Sequence, residues 1–291
     1  MAVPRIDQAD GVLGFGWTTP TGEPARLADL LALPDAEPHR WLPTHLEALD
    51  DVLIAVTGAL GEVLGGGRAP RPEEREDLAA AYVALDRAVL EYARAAEAAD
   101  VLGVPRDLRA GQILGTAHLV GVRARYCLGL AGVPPFEGEL DTPGPGMVGG
   151  FAGLHRVDDA QPWRGARWLV VTEDGRRLPA SLSMLLHDSS GVDKEATLRE
   201  HREALAQVTE AVDGAPGSPG GVPRGGELEA AGAVDWLLFD WVMAHRESES
   251  GAGVEIRSGK VEDATMIVAA AAASVAVRAR FDPALLPLAS Q

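Results

Sequence analysis

Residues 40–64 read RWLPTHLEALDDVLIAVTGALGEVL. Leu42, Leu46, Leu49, Leu53, Val56, Leu60 and Val63 recur every three or four positions, which lays one apolar stripe along a helix. Gly65-Gly66-Gly67 follows, a composition that suits a helix C-terminus. An amphipathic helix must bury its stripe against another element. The rest of the chain supplies candidates of the same kind. Pro24 to Leu33 reads as a short helix. A long one begins at Pro72, with Glu73, Glu74, Glu76 and Asp77 near the positive end of its dipole. Others run from about Arg106 to Ala131, Val192 to Val212, Glu227 to His245 and Val261 to Arg280. The Glu227–His245 segment is the most apolar and holds Trp236, Phe239 and Trp241. The last contains an alanine run that lets another helix approach closely. These segments predict a mostly α fold, a helical bundle.

Two stretches break the pattern. Val133 to Gly165 is rich in Gly and Pro, has no period, and is too long for an ordinary connection, so it reads as a lid or a partly disordered stretch. After it, Trp168–Thr172, the turn pair Asp174-Gly175, and Leu182–Leu186 read as a small β-hairpin. Ala215 to Gly226 reads as a surface loop. No internal repeat is evident. The expectation is one domain over residues 1–291, with an insertion at 132–187.

The whole chain has 291 residues, with 26 Lys+Arg against 43 Asp+Glu, a formal charge of −17. That balance argues against a general nucleic-acid binder, which needs cations to displace counterions from phosphates. A single cysteine, Cys127, excludes a disulfide framework and any multi-cysteine metal site. The longest apolar stretch, Met266–Val277, is shorter than the roughly 20 residues that span a bilayer. The opening residues do not read as a secretory leader. A cytoplasmic protein with no membrane partner is the expectation.

Several motifs match in letters only. Gly144, Gly146 and Gly149 spell GxGxxG, but prolines crowd them where a strand and helix are required. Gly253 to Lys260 resembles a phosphate-binding loop with the wrong spacing, and Val261 stands where Ser or Thr is needed. His187-Asp188-Ser189 puts triad residue types side by side, which does not create a triad geometry. More informative are two histidines on apolar helix faces, His45 and His245, and Arg109 near the start of a helix. A lone histidine in such a place is most simply a hydrogen-bonded core residue.

The order of these residues resembles the tryptophan 2,3-dioxygenase superfamily of heme-dependent aromatic oxygenases. Leu27-Ala28-Asp29-Leu30-Leu31 is similar to that family's N-terminal L-x-x-L-L segment. Trp41-Leu42-Pro43-Thr44-His45 resembles its F-I-x-x-H, and Arg106-Asp107-Leu108-Arg109 its aromatic-x-x-F-R. Val122-Arg123 matches a later F-R pair, with Gly115 near the family's glycine. Trp241-Val242-Met243-Ala244-His245 resembles its W-R-x-x-H. The chain departs from the pattern at Pro105 and Val242, and lacks the G-T-G-G-S-S-G loop apart from Gly251-Ala252-Gly253 and Arg257-Ser258-Gly259.

The resemblance implies a divergent member holding heme b between helices, with His245 as the axial iron ligand. It implies a small aromatic amino acid as substrate, L-tryptophan or a substituted tryptophan, in specialised metabolism. Its carboxylate would pair with Arg109, a rigid two-point fork. Trp41 would pack on its ring, His45 would orient it, and Ser258 would stand near its ammonium. The oxidant would be O2 or peroxide, with one or two oxygen atoms inserted. A homo-oligomer is expected by the same analogy. Two alternatives stand beside this reading: tyrosine hydroxylation on the same scaffold, and a non-enzymatic helical ligand-binding protein.

Overall fold

The computed structural model describes residues 8–9, 12–13, 17–18, 21, 24–34, 36–65, 70–101, 108–129, 151–155, 167–171, 177–188, 193–213, 227–249 and 261–281. The described residues begin with two short antiparallel pairs, β1 (Gln8–Ala9) with β2 (Val12–Leu13) and β3 (Trp17–Thr18) with β4 (Pro24–Ala25). The short α1 (Leu27–Leu31) follows directly, then three long helices: α2 (Pro38–Gly65), α3 (Pro72–Val101) and α4 (Leu108–Leu128). The stripe of residues 40–64 is buried along α2, with Leu49 and Val56 fully enclosed. Pro72 opens α3 as the first-turn proline, and the Glu74 carboxylate accepts from the Arg71 backbone N–H at 2.8 Å just before it. Gly129, at φ +68°, takes the left-handed turn that ends α4.

A three-stranded antiparallel sheet comes next, in the order β5 (Phe151–His155), β6 (Arg167–Val171), β7 (Arg177–Ala180). Then come the short α5 (Leu182–Asp188) and three more long helices: α6 (Lys194–Asp213), α7 (Glu227–Glu249) and α8 (Val261–Phe281). Asp193 caps α6 by accepting the Ala196 N–H at 3.0 Å. Among the described residues the fold is mostly helical, and no helix is long and apolar enough to cross a membrane.

Helix α4 packs on α2, α3, α7 and α8, and helix α8 on α3, α4, α6 and α7. The alanine run of α8 explains its packing: Ala270, Ala271 and Ala273 are buried, and small side chains let several helices converge. The main packing of α2 is on α3 and α4, and that of α7 is on α4, α5, α6 and α8. Gly115 on α4 marks a close approach to α7, since a Cβ there would lie 3.2 Å from Val242 Cγ2.

One expectation needs correction and two need additions. Residues 182–186, expected as the second hairpin strand, are helical; the strand that pairs with β6 is 177–180. Within the aperiodic stretch 133–165 the described residues form one strand, β5, which pairs with β6, and the rest of that stretch lies outside the described residues. And where no repeat is evident in the sequence, the element order repeats: a strand pair, a short helix and three long helices occur twice.

Candidate functional site

His45, on α2, is completely buried. The Trp17 indole N–H donates to its Nδ1 at 2.9 Å, and its Nε2 lies 2.9 Å from the Ala88 carbonyl of α3. The indole is donor-only and the carbonyl acceptor-only, so the proton sits on Nε2 and the ring is neutral. Burial holds its pKa down at about 4, against a small upward pull from the Ala88 carbonyl. The Trp17 ring is parallel to the imidazole, 6.0 Å between centroids, and Tyr92 lies 5.9 Å away, tilted. Both ring nitrogens are engaged, so in this arrangement the imidazole has no nitrogen to offer a substrate. This differs from the substrate-orienting role expected of it.

The same construction appears on α6. His201 is also completely buried. The Trp168 indole donates to its Nδ1 at 2.8 Å, and its Nε2 lies 2.8 Å from the Leu237 carbonyl of α7. Trp241, the first residue of the W-V-M-A-H stretch, lies 5.9 Å from the His201 ring. His201 was missed because the charged face around it dominates that helix. A findable signal exists: Leu-x-x-His-x-Glu-Ala-Leu describes both 42–49 and 198–205.

Of the remaining expected residues, Arg109 and Trp41 have described side chains, and they lie in different surroundings. Arg109 is exposed in the first turn of α4. Trp41 is packed into the core at 2% exposure, and its Nε1 has no hydrogen-bond partner among the described residues. His245 lies on α7, but its side chain, like the whole of Ser258, lies outside the described residues. The glycine motifs at 144–149 and 251–259 lie outside them too.

A buried ionic cluster, unanticipated from the sequence, joins α3, α4, α7 and α8. Arg125 donates to Asp235 at 2.7 Å and lies 3.9 Å from Asp86. Arg278 donates to Asp235 at 3.0 Å and to Asp86 at 3.3 Å. The Ser274 hydroxyl donates to Asp235, and His118 Nε2 lies 3.2 Å from the Asp235 carbonyl. Burial alone would raise the Asp235 pKa, but Arg125 and Arg278 overcome it and hold it at about 2. Burial would lower that of Arg278, and the two aspartates raise it instead. His118 is held down to about 4 by burial, with the Asp235 charge pulling the other way. Two carboxylates face two guanidiniums, so the cluster is balanced internally.

Heme would need an open face beside its axial ligand and a second cavity for the substrate. His45 and Trp41, expected on the substrate side, are packed into the core, while the side chain of the expected axial ligand His245 lies outside the described residues. No family model, curated protein or solved structure matches this chain.

Proposed function

We propose that the chain is a non-enzymatic helical ligand-binding or interaction protein. The observation that carries this reading is the doubly bonded imidazole of His45. A group that orients substrate needs a lone pair or a proton directed at it, and both nitrogens of this ring are spent on Trp17 and Ala88. The recurrence of the same bridge at His201, a position with no counterpart in the oxygenase pattern, supports a building role for both rings.

The heme-oxygenase reading stands second and rests on His245, one helical turn beyond the buried Trp241 on α7. The test is an absorption spectrum of the purified protein before and after hemin addition and dithionite reduction. The binding-protein reading expects a flat visible spectrum and no saturable response to hemin. A Soret band that titrates to one equivalent, moves on reduction and disappears in His245→Ala would overturn it.

A further inference from the structure

We infer that this chain is an internal duplication: two copies of one unit, a strand pair followed by a short helix and three long helices, docked within one polypeptide as the subunits of a dimer dock. Element order alone is weak support, because helical bundles repeat simple orders. The specific bonds are stronger.

Trp17 pairs across its hairpin with Ala25, and Trp168 with Ala180. Each indole then donates to a buried histidine, His45 or His201, on the first long helix of its half. Each histidine meets a carbonyl of the next helix, Ala88 or Leu237. Two residues after each hairpin alanine stands a leucine whose backbone N–H is held by a buried carboxylate. Leu27 donates to Glu91 at 2.6 Å, and Leu182 to both oxygens of Asp240 at 2.9 and 2.8 Å. Each carboxylate lies three residues after the matching carbonyl residue, and an aromatic ring, Tyr92 or Trp241, follows it and approaches the matching histidine at 5.9 Å.

The sequence agrees once this register is imposed. Pro-Ala-x-Leu-x-x-Leu-Leu describes both 24–31 and 179–186. Leu-x-x-His-x-Glu-Ala-Leu-x-x-Val-x-x-Ala-Val describes both 42–56 and 198–212. Val-Arg-Ala-Arg followed by an aromatic residue occurs at 122–126 and 277–281. Independent origins would have to reproduce side-chain bonds, backbone bonds and residue identities in one order.

The junction between halves has the reciprocity of an isologous interface, where one surface meets its own copy. Asp86 and Asp235 occupy matching positions on α3 and α7. Arg125 of the first half reaches Asp235 of the second, and Arg278 of the second reaches Asp86 of the first. These arginines come from the same Val-Arg-Ala-Arg segment, one from its second arginine and one from its first, so the copies have drifted in detail. His118 and Ser274 both serve Asp235, another asymmetry.

The test is an experimental structure of the full wild-type chain together with matched variants of that chain. Residues 24–128 and 179–281 are expected to superpose helix for helix, with His45 on His201, Asp86 on Asp235 and Glu91 on Asp240. A best superposition in any other register would overturn the duplication. By hydrogen exchange, Trp17→Phe is expected to speed exchange about tenfold at 27–31 and leave 182–186 unchanged, and Trp168→Phe to do the reverse. Loss of protection in the opposite half alone, or in neither, would contradict the matched roles.

Discussion

A buried imidazole costs little when each nitrogen has the partner its protonation state requires, and much when one is removed. Trp17 supplies the donor for His45 Nδ1, so Trp17→Phe keeps an aromatic ring and strands an acceptor in the core. It is expected to destabilise the protein by about 1–3 kcal/mol, read from the urea midpoint; a change near zero would show that the bond contributes nothing net. Asp235→Asn is expected to cost more, about 3–5 kcal/mol by the same measurement, because Arg125 and Arg278 both rely on that carboxylate in a buried place. At this scale the sequence was half legible. Its apolar stripe placed His45 against the core. It could not show that Trp17, 28 positions away, would satisfy the ring, since such pairing is set by how a hairpin folds onto a helix. The Asp235 cluster was hidden for the same reason: its members come from four helices.

Helices were the most legible elements, because period and termini point the same way: a stripe on α2 followed by glycines, and a proline and acidic residues opening α3. The misplaced strand shows where that logic weakens. Leu182–Leu186 is a short apolar run, and such runs do not separate strand from helix by period. Two bonds tip it to helix. Ser181 Oγ accepts the Met184 N–H at 3.1 Å as an N-cap, and Asp240 takes the Leu182 N–H. Only the first of these is local in sequence. The contact of α4 with α7 yields a prediction at this scale. At Gly115 a methyl group would press on Val242, while alanine's helix preference gains up to about 1 kcal/mol, so Gly115→Ala is expected to be near neutral. Gly115→Val adds bulk that cannot retreat and is expected to cost about 1–3 kcal/mol in urea unfolding. Equal effects of the two substitutions would mean that the helices are not held at this separation.

For the whole molecule, the mostly α architecture was legible, whereas the pairing of its halves was not. The copies share short patterns separated by connections of unequal length, so their register becomes plain when bonds such as Trp17–His45 and Trp168–His201 are seen side by side. The buried groups of this architecture also set how stability responds to acid. His45 and His118 have folded pKa values of about 4, below an ordinary value of 6.5, chiefly because burial penalises the charged ring. Below pH 6.5 the unfolded chain takes up protons at these positions and the folded chain does not, so stability falls with pH. The loss is complete for each histidine by about pH 4, and amounts to about 3–4 kcal/mol apiece at most. Asp235, held at about 2 against an ordinary 3.8, has the same sign in a lower window: its contribution is present above 3.8 and drains as pH falls toward 2. Glu91, raised chiefly by burial, works in the opposite direction and offsets part of the loss. The charge of −17 also opposes it, since acid relieves self-repulsion, but salt screens that long-range effect far more than it screens buried groups. Urea midpoints measured in high salt should therefore fall as pH drops from about 6.5 to about 4. His45→Phe, if it folds, should flatten part of that slope, whereas a profile flat in the wild type would show that these imidazoles are not held neutral by burial.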